Sequence, residues 1–134
     1  MASSNNFVSG LSGMKYINLE TYRKNGQAVR TPVWFVDFNK KIYFRTDANS
    51  GKVKRIMNNH DVSVAGCDMW GNVKAGWVKG KAKIANDIDF KTINSLINKK
   101  YSFIQGFIKI MYKIRNIKVI IISIELVGLP DESS

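Results

Sequence analysis

Tight turns constrain this chain more than any other feature. Asn25-Gly26 and Asn39-Lys40 separate segments that are rich in β-branched and aromatic residues. An Asn-Gly pair between two such segments is the strongest short-range signal for a β-hairpin, so the sequence predicts consecutive antiparallel strands. Pro32 lies inside the second of these strands, which predicts a bulge or an unpaired backbone position there. The predicted strands cover residues 15–23, 28–38 and 42–46.

Three further strands and a short helix are predicted after this meander. Ser50 and Gly51 lead into an apolar periodicity that predicts a helix ending near residue 59, with Val53, Ile56 and Met57 on one face. The predicted strands cover residues 62–69, 73–85 and 118–127, with a turn at residues 70–72 between the first two. The last strand is almost wholly apolar, which is typical of a strand buried on both faces.

A long apolar periodicity over residues 90–115 predicts a second helical region. Asp87 and Asp89 precede it and are expected to cap its first turn, and Gly106 is expected to divide it. Together these elements predict a mainly β fold, a small six-stranded barrel with helical insertions, formed by residues 14–128 as a single domain. Residues 1–13 are expected to be a flexible N-terminus, and residues 129–134 a C-terminal tail.

Composition limits the chemistry that the chain can carry by itself. Among 134 residues there is one cysteine and one histidine, His60. These are too few for a disulfide within the chain or for a zinc-ligand pattern, so no metal site is predicted. The carboxylates form no recognisable acid–base pair, and an enzyme with this sequence would therefore depend on a bound cofactor. The N-terminus lacks a hydrophobic signal core, which predicts a cytoplasmic protein.

The net charge of +11 favours an anionic partner. Cationic and hydroxyl side chains that suit a phosphate monoester recur near the predicted strand ends and the start of the first helix. A solvated basic rim explains the same residues equally well. The tryptophans are candidates for stacking on a planar ring, although buried tryptophans more often belong to a core. The candidates for phosphate binding are Arg30, Arg45, Thr46, Ser50 and Lys52, and the candidates for stacking are Trp34, Trp70 and Trp77.

Two other anionic partners are compatible with this charge. The segment KKYSFIQGFIKIMYKIR is basic and amphipathic, as are helices that lie on anionic membranes. The basic and aromatic strands are compatible with a platform for single-stranded nucleic acid. A helix that packs on a core and exposes a basic face is commoner than a membrane-bound one, and no strand has an RNP-like pattern.

Four segments in a fixed order resemble the flavin-binding split-barrel family that is related to pyridoxamine 5′-phosphate oxidase. These segments are VRTPVWF, IYFRT, NSGKVKRIMNNHDVSVAGCD and GWVKGKAKI. The segment LINKKYSFIQGFIKIMYKIRNIKVIIISIEL resembles the subgroup of deazaflavin-dependent enzymes in this class, so the resemblance extends over residues 14–126. It implies a six-stranded split β-barrel of the FMN-binding type, and a homodimer with the cofactor at the interface.

The resemblance also implies an activity and a site. The cofactor would be FMN or the 8-hydroxy-5-deazaflavin coenzyme, which would exchange a hydride with a small organic substrate. The alternative is a non-catalytic flavin-binding protein of the same fold, and neither nucleic acid nor a membrane is expected as a partner. In oxidase-like members a basic residue precedes the lysine that is Lys52 here, and Gly51 takes its place. The expected cofactor contacts are Arg30, Thr31, Pro32, Val33, Trp34, Arg45, Thr46, Ser50, Gly51, Lys52 and Lys54, with Trp77 from the partner chain.

Overall fold

The computed structural model describes residue 11 and residues 14–74, 76–86, 90–102 and 117–127. The described residues include seven strands and two helices, which form a mainly β fold. The strands are β1 (Tyr16–Tyr22), β2 (Ala28–Val33), β3 (Val36–Phe38), β4 (Lys41–Asp47), β5 (Asp61–Cys67), β6 (Val78–Ile84) and β7 (Val119–Leu126). The helices are α1 (Gly51–Asn58) and α2 (Phe90–Lys100).

All seven strands belong to one antiparallel sheet with the order β2-β1-β5-β6-β7-β4-β3. The strands β2 and β3 lie at opposite edges, yet only Trp34 and Phe35 separate them along the chain. Two residues between strand ends span roughly 10 Å, so the edges must approach each other and the sheet must curl into a half-barrel. The prediction of one strand over residues 28–38 is wrong, because Trp34 and Phe35 divide it, and the described residues form seven strands where six were predicted.

Local backbone chemistry explains both predicted hairpins. Asn39 and Lys40 have φ values of 52° and 65°, as expected for a two-residue turn between β3 and β4. Gly26 has a φ of 89° and its N–H donates to the carbonyl of Arg23 at 2.8 Å, which closes the turn between β1 and β2. Pro32 lies on the edge strand β2, opposite Asn18 of β1 in an unbroken register, so no bulge forms there.

The strand predicted over residues 73–85 is shorter in the structure, where β6 begins at Val78. Before it, Val73 forms only an isolated bridge with Cys67. Within β6, a Cβ atom placed on Gly80 would lie 2.8 Å from Cγ2 of Ile124 and 3.1 Å from the backbone oxygen of Glu125. Gly80 therefore permits the close approach of β6 to β7.

The hydrophobic core has two parts, which share β7. Ile122 and Ile124 face the interior of the half-barrel, and Ile121 faces outwards against Ile93 and Ile97 of α2. These five isoleucines are at most 4% exposed, and burial of each stabilises the fold by about 1.5–3 kcal/mol relative to exposure. The prediction that the last strand is buried on both faces is confirmed for residues 121–124.

The helices cover the sheet at two places. In α1, Val53 and Ile56 are buried but Met57 is 43% exposed, so the expected apolar face is narrower than predicted. α2 ends at Lys100, before the predicted break at Gly106. The expected cap at Asp87 and Asp89, the remainder of the predicted helical region, and most of the predicted terminal segments lie outside the described residues. None of the described helices is long and apolar enough to cross a membrane.

Candidate functional site

A cavity of about 250 Å³ lies where the ends of β2 and β4 meet α1 and α2. One part of its lining is apolar and another part is cationic. The lining residues are Pro32, Val33, Trp34, Arg45, Thr46, Lys52 and Ile97.

The aromatic part of the cavity is held by a stacked pair. The rings of Trp34 and Tyr101 have centroids 4.4 Å apart and planes inclined by only 5°. Tyr101 is itself buried, with 1% exposure, because it lies directly after α2 in the outer part of the core. Stacking against a fixed ring leaves Trp34 little freedom to rotate, so the cavity has a defined flat wall.

Phe35 follows Trp34 in the crossover between β2 and β3, where its backbone has no strand partner. The N–H of Phe35 donates to the Tyr101 hydroxyl at 3.1 Å, and the amine of Lys100 donates to the carbonyl of Phe35 at 2.9 Å. The Tyr101 hydroxyl donates to the carbonyl of Lys15 at 2.7 Å and lies 3.1 Å from that of Phe35. Two consecutive residues at the end of α2 thus fix the crossover that carries Trp34.

Burial shifts the titration of both residues that hold the crossover. It lowers the pKa of Lys100 to about 8, because the amine is partly removed from water, and the charge of Asp37 opposes this shift. Burial raises the pKa of Tyr101 to about 12, so its hydroxyl is neutral at physiological pH. A neutral hydroxyl can both donate and accept, as the contacts around Phe35 require.

The cationic part of the cavity is held by the polar face of α2. The guanidinium of Arg45 donates through Nη1 to Oδ1 of Asn98 at 3.0 Å and, over a short distance, to Oδ1 of Asn94. The next residue, Thr46, is 6% exposed. Because two amides hold the guanidinium, Arg45 is oriented before any anion arrives.

Lys52 completes this part of the cavity from the start of α1. Its Nζ lies 3.5 Å from Oγ1 of Thr46, and the hydroxyls of Thr46 and Ser50 are also 3.5 Å apart. Ser50 caps α1 by accepting the Val53 N–H at 3.4 Å. Burial lowers the pKa of Lys52, the charge of Arg55 lowers it further, and that of Asp47 raises it. Lys52 is therefore a partly desolvated cation with little compensation from the protein.

The comparisons with known proteins concern the fold alone. No protein-family model and no curated protein matches the sequence. A candidate pyridoxamine 5′-phosphate oxidase from Listeria innocua superposes with a TM-score of 0.65 at 10% identity, over 93% of this chain and 94% of its own. The heme storage protein HutZ from Vibrio cholerae superposes with a TM-score of 0.67 at 10% identity, over 96% and 92%. The chain has the split-barrel fold.

A candidate 5-nitroimidazole antibiotic resistance protein from Bacteroides thetaiotaomicron has the same split barrel. It superposes with a TM-score of 0.66 at 11% identity, over 96% of this chain and 82% of its own. The fold expected from the sequence is therefore confirmed, apart from the number of strands. Membership of the deazaflavin-dependent subgroup stays a prediction.

The split barrel brings half of the predicted cofactor contacts to one cavity. Those that line it are Pro32, Val33, Trp34, Arg45, Thr46 and Lys52. Ser50 is next to the cavity through its contact with Thr46. Thr31 is half-buried on β2 beside the lining residues, and Gly51 precedes Lys52 at the start of α1. The roles of these residues toward a cofactor stay predictions.

Three of the predicted cofactor contacts, Lys54, Arg30 and Trp77, lie away from the cavity beside Trp34. Lys54 is exposed on α1. Arg30 is exposed on β2, where its Nε pairs with Oε2 of Glu20 at 2.8 Å, and its guanidinium lies 4.6 Å from the centre of the Trp77 ring. Arg30 therefore already contacts Glu20 and Trp77, and neither Arg30 nor Trp77 lines the cavity beside Trp34.

The contribution of α2 was not predicted. Asn94 and Asn98 accept hydrogen bonds from Arg45, and Ile97 lines the cavity. Tyr101 stacks on Trp34. The sequence contains one usable signal, since Asn94 and Asn98 are four residues apart and so share a helix face. Asparagine is common on solvated helices, however, and only the fold shows that this face meets Arg45.

His60 does not line the cavity beside Trp34. It lines a second cavity, between β4, β6 and β7. Its Nδ1 lies 2.9 Å from the carbonyl of Ala82, and since a carbonyl only accepts, Nδ1 carries the proton. Among the described residues, no group of three or more histidine, cysteine, aspartate or glutamate side chains could hold a metal ion.

Proposed function

We propose that this chain is an oxidoreductase that holds FMN or the 8-hydroxy-5-deazaflavin coenzyme at the cavity beside Trp34. The bound cofactor would exchange a hydride with a small organic substrate. The observation that carries the proposal is the presence, in one cavity, of a flat apolar wall and a group of cations with hydroxyls. A phosphorylated flavin has the same division, with a planar ring at one end and a phosphate at the other.

The ring would lie along the apolar part of the cavity. Trp34 supplies a planar surface that Tyr101 supports from behind, while Pro32, Val33 and Ile97 exclude water from the same space. An extended aromatic system gains both area burial and stacking energy on such a wall, about 0.5–1.5 kcal/mol beyond burial for a good pair. These residues would bind and orient the ring, and none of them is assigned as an acid or base.

The phosphate would lie at Arg45, Thr46, Ser50 and Lys52. Arginine and lysine give charge-assisted hydrogen bonds to phosphate oxygens, and the two hydroxyls can donate further bonds. Asn94 and Asn98 hold Arg45 in place, so little side-chain entropy is lost when an anion binds. The desolvation of Lys52 also favours a bound anion, because an opposite charge would restore its ordinary pKa.

A homodimer would complete the site. The cavity of about 250 Å³ is smaller than the roughly 300–1,000 Å³ that is usual for pockets of this kind, so one chain covers only part of a flavin nucleotide. Trp77 is half-exposed beneath Arg30 and is our candidate for the ring that the partner contributes. Sedimentation would be expected to show a dimer, and Trp77→Ala should weaken cofactor binding without changing the monomer's cavity.

A non-catalytic binding protein is the second candidate, since one protein with the same fold is described as a heme storage protein. The absorbance spectrum of the purified protein separates the two ligands, because flavins and heme absorb at different wavelengths. Turnover of reduced cofactor with candidate acceptors then separates an enzyme from a carrier. If neither FMN nor the deazaflavin coenzyme binds, and oligonucleotides or anionic vesicles bind with a steep salt dependence, both candidates are wrong.

The Lys52→Ala variant tests the site directly. Loss of a charge-assisted contact should weaken cofactor binding by about 1.5–3 kcal/mol, which is roughly 10- to 150-fold in the dissociation constant. Lys79 is exposed on β6, so Lys79→Ala removes the same charge at a distance and serves as the control. If the wild type and Lys52→Ala bind the cofactor with equal affinity in low salt, Lys52 does not contact the phosphate.

A further inference from the structure

Two cations of α1, Lys52 in its first turn and Arg55 in its last turn, have no carboxylate paired with them among the described residues. Both are half-buried. The pKa of Arg55 is lowered by burial and by the charge of Arg23, just as Arg55 lowers that of Lys52. Asp47 is the carboxylate that acts on Lys52, and its Oδ1 already accepts the N–H of Asn49 at 2.9 Å. Lys52 and Arg55 therefore repel each other with little negative charge nearby, an arrangement that favours a bound anion.

Gly51 allows one of these cations to bend back along the helix. A Cβ atom placed on Gly51 would lie 2.9 Å from Nη1 of Arg55, and 3.7 Å from its Cζ. A contact that short requires a shift, and because Nη1 ends a flexible side chain, a larger residue at position 51 would displace the guanidinium from this space. Arg55 is four residues further on, one helical turn away, which is why its side chain can reach this position.

A second contact fixes the direction of Arg55. Its Nε donates to Oγ1 of Thr21 at 2.7 Å, and Thr21 is 1% exposed on β1. The bond anchors the guanidinium by Nε and leaves its Nη nitrogens beside Gly51, one residue from Lys52. Two Nη groups present a forked set of donors, the arrangement that matches two oxygens of a phosphate.

We propose that Arg55 is a further phosphate-binding residue, which acts with Lys52 on the phosphate of the cofactor, and that Gly51 leaves the space in which its guanidinium lies. This inference rests on the function proposed above. The guanidinium of Arg55 lies in the space that a side chain at position 51 would otherwise fill. Arg55 is therefore a residue that selects phosphorylated ligands over the corresponding dephosphorylated ones.

The experiment compares two ligands that differ only in the phosphate. Dissociation constants for FMN and riboflavin are measured by fluorescence for the wild type and for Arg55→Gln. If the wild type prefers deazaflavins, the deazaflavin chromophore with and without a terminal phosphate monoester replaces them. Arg55→Gln should lose about 10- to 100-fold in affinity for the phosphorylated ligand, with the other unchanged. Lys79→Gln removes a distant charge and should change neither affinity more than about twofold.

Two further variants separate ligand binding from folding. Gly51→Arg in the Arg55→Gln background returns a guanidinium to the same space, and it should recover most of the lost affinity for the phosphorylated ligand. Gly51→Leu keeps Arg55 but occupies its position, and it should weaken binding of the phosphorylated ligand alone. Thermal unfolding without ligand shows whether each variant is folded at the temperature of the assay.

The outcomes distinguish this inference from the function on which it rests. If the wild type binds a phosphorylated cofactor and Arg55→Gln binds it equally well, Arg55 is not a phosphate ligand although the proposed function stands. If Arg55→Gln loses both ligands in equal proportion, Arg55 has only a structural role through Thr21. If the wild type binds neither pair of ligands, the proposed function is wrong and the role of Arg55 falls with it.

Discussion

The hydroxyl of Tyr101 offers the sharpest test of how the cavity is built. Tyr101→Phe keeps the ring that stacks on Trp34 and removes only the oxygen. The N–H of Phe35 then loses its partner in a residue that is 0% exposed. The carbonyl of Phe35 retains the Lys100 amine, and Lys15 is exposed, so its carbonyl can turn to water. One buried N–H is therefore left unsatisfied, which costs about 1–3 kcal/mol.

Thermal and denaturant unfolding measure this cost. A domain of this size loses about 3–5 °C in Tm for each kcal/mol, so Tyr101→Phe should lower the Tm by roughly 3–15 °C. Tyr22→Phe is the control, because the Tyr22 hydroxyl bonds to Glu20 at 2.6 Å in a half-exposed setting, where water can replace it. That variant should lose less than about 1 kcal/mol. Equal losses in the two variants would refute the argument.

The pH dependence gives an independent check on the same hydroxyl. The pKa of Tyr101 is about 12 in the folded protein and about 10 when unfolded, so the folded state binds more protons between those values. The stability that this group contributes is fully present below pH 10 and is lost as the pH rises through 12. The difference in stability between wild type and Tyr101→Phe should shrink across that window, and a constant difference would contradict the assignment.

Three further predictions concern other contacts. Burial holds the pKa of Lys100 at about 8, below its unfolded value of about 10.4, so wild-type stability should gain a contribution as the pH rises from 8 to 10.5 that Lys100→Met lacks in urea titrations. Gly80→Ala should cost about 1–3 kcal/mol of unfolding free energy, whereas Gly76→Ala, with open space around its Cβ position, should be nearly neutral. Asn98→Ala should weaken cofactor binding while leaving Tm nearly unchanged, and unchanged affinity would show that Arg45 needs no orientation.

Local signals in the sequence were sufficient for most of the sheet. The positive φ values of Asn39 and Gly26 follow from residue type, and the apolar run in β7 identifies a strand buried on both faces. The break at Trp34 was missed because Val, Trp and Phe all favour strands. Nothing local distinguishes a long strand from two strands at opposite edges, since the break is set by how far the sheet curls.

The site was predictable only where neighbouring residues supply it. Pro32, Val33 and Trp34 are consecutive in the sequence. Thr46 lies near the end of β4, and Lys52 lies in the first turn of the helix that follows, so a local motif can identify both sets. Asn94 and Asn98 meet Arg45 across about fifty residues of sequence, and Arg55 is not among the predicted contacts. Its contacts with Thr21 and Gly51 depend on the packing of α1 against β1, which no pattern in the sequence specifies.

The crossover between β2 and β3 explains why a cavity exists at this position. β2 and β3 run in the same direction, and a connection of two residues is too short for parallel strands to pair, so neither strand supplies hydrogen bonds to the crossover. Here the two edges remain apart, so the crossover needs other partners, and the end of α2 supplies them through Lys100 and Tyr101. The same helix brings Ile97 to the cavity and Asn98 to Arg45. The contacts that stabilise the open edge are therefore also those that shape the proposed cofactor site, and variants of Tyr101 should change stability and cofactor affinity together.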